Sequence, residues 1–438
     1  MMEEVPQESE TIAVKRTARI TKKILDARST LGSVPAWWSN EVMEIIGLAV
    51  VVLLNLYLIL PFFKVQIPET TYSGPIIPLV AKIFGIFGIP FIESVHIMAL
   101  ISFLVFPLSM YIFVRLLTKR KMSAFLAVLI VSLPFYPFAK TRIISGFLSQ
   151  DAPHIITLSL IPIAVYSLLS FVKEGGIKSL ILSAITSSLV SLSSPFSFTT
   201  FMMFAVIACF SEMLLGQGRL KFTRLMVVML FTAGLNSFWY NPSFFYWMIT
   251  GPMGDEIRIT LNRLIPMSMF IAPVLGVFGF LLFDRKPSLQ PMFLAVFFTI
   301  IFALVVIAGG GFVPSHPTRY TPEFGISFSL LLGLLILKFS EYLKFKPEKL
   351  PYLSWKAISS LVIIGAFLIS GLGIIAGRLE MDSVSSVLGI WSDVNRGEMW
   401  EARDSFNGLS SLTGFAITFI TASVLTYLAT KSKQSVIG

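Results

Sequence analysis

Charge is scarce in this chain. Only 13% of its 438 residues are Asp, Glu, Lys or Arg, about half the share of a soluble domain. A soluble core of this length needs a polar shell, and too few polar residues are present to build one. Cysteine is scarcer still: Cys209 stands alone, inside an apolar stretch. A lone cysteine excludes an intramolecular disulfide and any cysteine-based metal site. The patterns GxxxxGK[ST], GxSxG and HExxH are missing, and with them the usual sequence signs of nucleotide, serine-hydrolase or zinc-protease chemistry. No basic patch interleaved with base-stacking aromatics occurs, so the net charge of +10 does not point to nucleic acid.

What the chain has instead is apolar length. Hydrophobic residues make up 55% of it, and the mean hydropathy is +0.82. Runs of about 20 apolar residues, each long enough to cross a bilayer, recur throughout. The reading is an all-α, polytopic transmembrane helix bundle of about twelve spans. They fall near 44–63, 93–115, 122–139, 153–172, 177–193, 197–214, 224–240, 265–283, 290–308, 323–343, 356–376 and 409–430. The serine-rich break at 187–198 reads either as an outer turn or as a kink within one long helix. Residues 1–43 form a polar leader to the 44–430 membrane region, and 431–438 a short tail. In 11–28, Ala13, Ile20 and Ile24 oppose Lys15, Arg16, Arg19, Lys22 and Lys23 on a helical wheel. Two readings stand: a helix lying on the inner leaflet, or a solvated tail that sets topology. Residues 1–43 do not have the pattern of a cleavable signal peptide.

The basic residues sort by side. With the N-terminus inside, the N-terminal tail, the loops at 115–121, 173–178, 219–224, 285–286 and 338–356, and Lys431 and Lys433 together hold 24 of the 34 Lys and Arg. That asymmetry predicts both termini in the cytoplasm. The opposite side collects His96, His154 and His316 and half of the acidic residues. Its first loop, 64–92, is apolar but broken by Pro75, Pro78 and Pro90, and reads as an interfacial or re-entrant helix. The stretch Trp239-Tyr240-Asn241-Pro242 ends a span, because proline lacks an N–H and restricts the residue before it. Its aromatics suit a membrane–water interface.

Four clusters on this side carry polar groups. In the first, Lys140 and Arg142 precede Ser149, Gln150, Asp151 and His154. Asp151 opens a helix whose first turn holds Pro153, so it is either a site acid or a helix cap. Lys140 and Arg142 are either phosphate ligands or interface anchors. In the second, three glycines at 309–311 lead to His316, Arg319 and Glu323. Arg319 either grips a phosphate bidentately or pairs with Glu323. Glu69 is the acid of the first loop. Glu93 and His96 share a helix face at i, i+3, although two ligands make a poor metal site and a packed histidine is the plainer reading.

Together the outer loop with its partial helix, the SQDAPH segment, the Ser-Ser-Pro break, the FWYNP segment and Arg319-Tyr320 resemble the GT-C superfamily. These are polytopic glycosyltransferases that use lipid-linked sugars, among them YfhO-like and oligosaccharyltransferase-like branches. The resemblance covers roughly 44–343. It implies an outer-leaflet glycosyl transfer from a polyprenyl-phosphate sugar, while the lone cysteine and the lack of a signal-peptide pattern are compatible with a prokaryotic plasma membrane. Glu69 or Glu93 would be the base, Asp151 a metal-organising acid beside a divalent cation (Mg or Mn), and Arg319 a phosphate clamp. Gln150, His154, Trp239, Tyr240 and His316 would line the substrate. The acidic pair usual in the first outer loop is missing here. Two other readings stand beside this one: a transporter or lipid flippase, and a non-catalytic scaffold that meets a protein partner through 377–408.

Overall fold

The computed structural model describes residues 41–64, 74–148, 151–250, 287–308, 317–345 and 408–437. These residues are helical, and none of them forms a strand. In chain order the helices are α1 (Glu41–Ile59), α2 (Ile76–Ile86), α3 (Phe91–Thr118), α4 (Lys121–Val131), α5 (Ala139–Ile143) and α6 (Ala152–Leu158). They continue with α7 (Ile161–Glu174), α8 (Ile177–Ser193), α9 (Pro195–Leu214), α10 (Gly218–Asn236) and α11 (Pro242–Thr250). The last three are α12 (Gln290–Ala308), α13 (Thr321–Phe345) and α14 (Gly408–Ile437).

Six of the helical stretches are long and apolar enough to cross a membrane, or seven if the bent pair α6–α7 counts as one span. The bend there is 41°. Expected spans at 265–283 and 356–376 lie outside the described residues, as do residues 1–40 and the loop 377–407. The expected span at 122–139 is shorter than a bilayer requires: α4 ends at Val131. Pro134 and Pro137 follow within six residues, and proline cannot continue a helical ladder. The partial helix expected in 64–92 is α2, eleven residues long and begun after Pro75.

Local chemistry explains where several helices begin. Asn241 Oδ1 accepts the Phe244 N–H at 2.9 Å, and Pro242 takes the first turn, where its missing N–H costs nothing. Ser194 is extended and its hydroxyl accepts the Ser197 N–H at 3.3 Å, capping α9 with Pro195 at its start. The chain reverses at this point. Arg224, early in α10, donates to the carbonyls of Val172 and Lys173 at the close of α7, while Tyr240, past the end of α10, donates to the Ser191 carbonyl at 2.8 Å. So α8 and α10 run from one end of the bundle to the other, and the break at 187–198 is a turn.

The same contacts sort the rest of the bundle. One end gathers the starts of α6, α9 and α13 and the finish of α8 and α10. The other gathers the starts of α1, α8, α10 and α12 and the finish of α3, α7 and α9. Between them lies a continuous apolar core built from Phe106, Phe204, Phe297, Phe302 and Phe324 among others. The outer flanks of α1 and α14 expose Tyr57, Leu412, Phe419 and Tyr427. Close approach depends on two glycines of α13. A Cβ at Gly325 would sit 2.2 Å from the Pro137 carbonyl oxygen, and one at Gly333 would sit 2.8 Å from the Ala127 nitrogen.

Candidate functional site

Four ionisable side chains converge where α6, α9 and α13 begin. Asp151 stands immediately before α6, and His154 one turn into it. Arg319 belongs to a 3-10 turn, Pro317–Tyr320, that leads straight into α13. Glu323 lies in the first turn of α13, a position the helix dipole favours for a carboxylate. All four are buried, Glu323 and His154 almost completely.

Their geometry is specific. Arg319 Nε donates to Asp151 Oδ2 at 2.7 Å, and its Nη2 to Oδ1 at 3.2 Å. This is the two-point grip that a planar guanidinium offers a carboxylate. His154 Nε2 lies 2.9 Å from Glu323 Oε1, and its Nδ1 lies 4.0 Å from Asp151 Oδ2. Ser197 Oγ comes within 3.4 Å of His154 Nδ1. Thr200 donates to Glu323 Oε1 at 3.1 Å. The Arg319–Asp151 and Glu323–His154 pairs thus lie side by side in a buried interior, joined by the 4.0 Å approach of His154 to Asp151. Among the described residues Glu323 Oε2 has no hydrogen-bond partner.

Two expectations change here. Asp151 occupies the cap position of α6, but its side chain makes no cap hydrogen bond, because both oxygens are taken by Arg319. Arg319 pairs with Asp151, not with Glu323. The ladder of residues between Arg319 and Glu323 is one helical turn, yet their side chains reach different partners.

Other candidates are placed apart from this cluster. Arg142 is buried, whereas Lys140 two residues earlier is exposed. Glu93 is exposed and His96 is buried against the edge of Phe147. Their i, i+3 spacing therefore brings them to one helix but not to one site, and only the packed-histidine reading fits. Trp239 is half-buried, and Tyr240 is buried beside Phe244 with its hydroxyl on the Ser191 carbonyl. Tyr240 thus packs α10 against α8, while Phe245 and Tyr246 are the exposed aromatics of the segment. Glu69, Gln150 and His316 lie outside the described residues. Among the described residues no group of three or more His, Cys, Asp or Glu is arranged to hold a metal ion, so the divalent cation finds no ligand set there.

Sequence reading missed Ser197, Thr200 and the role of Glu323. Two signals were available: an acid directly after Pro322 at a helix start, and hydroxyl residues spaced i, i+3 after the Ser-Ser-Pro break. Asn55 makes an interhelical hydrogen bond: its Nδ2 donates to Ser132 Oγ at 2.8 Å.

The opposite end holds its own charges. Lys221 Nζ donates to Glu212 Oε2 at 2.7 Å, and Gln290 donates to the other oxygen. Glu44 is engaged by Tyr111, Arg115 and Lys121. Compared with protein-family models, curated proteins and solved structures, the chain matches none.

Proposed function

We propose that this membrane protein transfers a glycosyl group from a lipid-phosphate donor, using the end of the bundle that holds Asp151, His154, Arg319 and Glu323. We take that end as the outer side of a prokaryotic plasma membrane, with about twelve spans and both termini cytoplasmic. Arg115, Lys119, Arg120, Lys121, Lys173 and Arg219 cluster at the other end, as the positive-inside bias requires.

The observation supporting the reaction is the buried network itself. It assembles two carboxylates, an imidazole and a guanidinium from remote segments, and leaves one carboxylate oxygen of Glu323 without a partner. Ionisable groups in such surroundings are functional candidates. In the free protein Arg319 is held by Asp151. A donor phosphate competes for the guanidinium, and Asp151 is released as the general base. The acceptor hydroxyl gives its proton to Asp151 and its oxygen bonds to the anomeric carbon. The bond from that carbon to the phosphate oxygen breaks, and the lipid phosphate leaves with the electron pair, stabilised by Arg319. Glu69 remains the alternative base of this scheme.

Reconstituted protein supplied with a labelled polyprenyl-phosphate sugar tests the reading. Asp151→Asn should lower transfer about 100-fold or more, and Arg319→Lys, which keeps charge but not the fork, should raise KM for the donor. Full transfer by a folded Asp151→Asn protein would sink the assignment. One observation favours a second reading: both Asp151 oxygens are already occupied, as in a structural latch. A non-catalytic scaffold would show no transfer even in the wild type.

A further inference from the structure

We infer that Arg142 holds a small monovalent anion of the halide class, in a closed cage between α1, α3 and α4. The cage lies apart from the Asp151 network and does not depend on the reading above. Arg142 is 1% exposed, and among the described residues no carboxylate pairs with it. Its Nη2 donates to the Val131 carbonyl at 2.9 Å and to Asn55 Oδ1 at 3.3 Å. The Phe103 and Phe106 rings face the guanidinium carbon at 4.5 and 4.4 Å. Among the described residues Nε and Nη1 have no hydrogen-bond partner.

Ring faces and two neutral acceptors ease the burial of a cation but supply no counter-charge. The donors left over select the anion. Both edges with which a guanidinium grips an oxyanion use Nη2, and that nitrogen is already engaged. What remains is the one N–H of Nε and the two of Nη1, which point to different edges so that an ion meets one nitrogen at a time, together with Ser132 Oγ, which accepts from Asn55 and keeps its own hydrogen to give. Single-point donors suit a sphere rather than a planar carboxylate or a phosphate. Asn55, Phe103 and Ser132 are fully buried and Phe106 nearly so, which leaves no opening for a lipid headgroup. Weakly hydrated ions fit such a dry, aromatic cage best.

Thermal unfolding of the full-length protein in detergent, in chloride against gluconate at matched ionic strength, tests this. The wild type should melt several degrees higher in chloride, and Arg142→Gln should lose the difference. If Arg142→Gln does not fold, Ser132→Ala, which keeps the charge, should shrink the chloride shift. Crystals grown in bromide should show an anomalous peak against Arg142. Equal chloride shifts in wild type and variant, no shift in the wild type, or a bromide map empty at Arg142 would each overturn the assignment.

Discussion

The two ends of the bundle bury charge in different ways. At the end holding Glu212 and Lys221, that pair joins adjacent helices nine residues apart, while Gln290 reaches Glu212 across 78 residues and Tyr111 reaches Glu44 across 67. Each Glu212 oxygen has a donor, and each Glu44 oxygen has a cation. Water is close by, since the Arg115 and Lys121 side chains are 45% and 29% exposed. At the other end Asp151 and Arg319 are 168 residues apart, Glu323 is wholly buried, and one of its oxygens is left over. In the first pattern no carboxylate oxygen is left over, and its Glu44 part sits at a wet rim. The second draws remote segments into a dry site and leaves an acceptor to spare. Burying a charge costs several kcal/mol per ion, so the second arrangement is the one for which packing alone gives no reason.

The sharpest way to break this contrast is Arg319→Met. It strands Asp151 in the interior and should cost about 3–5 kcal/mol of stability, read from denaturant unfolding in detergent. Adding Asp151→Asn should recover much of that loss, and a double-mutant cycle measures the coupling. An Arg319→Met cost below about 1 kcal/mol would place the pair with surface bridges. Next comes Gly325→Ala, which pushes a methyl group into the Pro137 carbonyl and moves the start of α13. Overpacking of this kind costs about 1–3 kcal/mol, and transfer activity should fall with it because Glu323 moves as well.

At the wet rim, Lys121→Gln should cost about 1 kcal/mol or less, because Glu44 keeps Arg115 and Tyr111. The effect should shrink further with added salt, whereas the Arg319→Met cost should hardly change. The smallest effect belongs to Glu93→Gln on the exposed face of α3, within about 0.5 kcal/mol and with transfer unchanged. A large loss of transfer there would move the catalytic base away from Asp151.

Much of this was legible residue by residue. Asp151, His154 and Arg319 stand out because charged groups are rare in so apolar a chain, and rarity made each a candidate on its own. Their mutual arrangement was not legible. A capping role for Asp151 follows from its position before Pro153, but Arg319 offers two charged hydrogen bonds where a backbone amide offers one neutral one, and the stronger partner won. The i, i+3 spacing of Glu93 and His96 favoured a packed histidine over a metal pair, but left the exposure of Glu93 open for a related reason. Spacing assigns residues to a helix face, but the turn at 61–64 and Phe147 decide how much of that face is covered. Lys140 and Arg142 read alike, as phosphate ligands or interface anchors; α5 turns one outward and the other into the core.

By itself the sequence determined the helical class, the apolar stretches and the helix end at Asn241-Pro242. These depend on composition, on backbone hydrogen bonding and on neighbours within one turn. Only the tertiary structure decided that the 187–198 break reverses the chain, that Asp151 meets Arg319 and His154 meets Glu323, and that Arg142 is enclosed by two phenylalanines. Those outcomes depend on which helices pack together. In an interior with little water, a charge takes the best partner that packing brings within reach, wherever that partner lies along the chain.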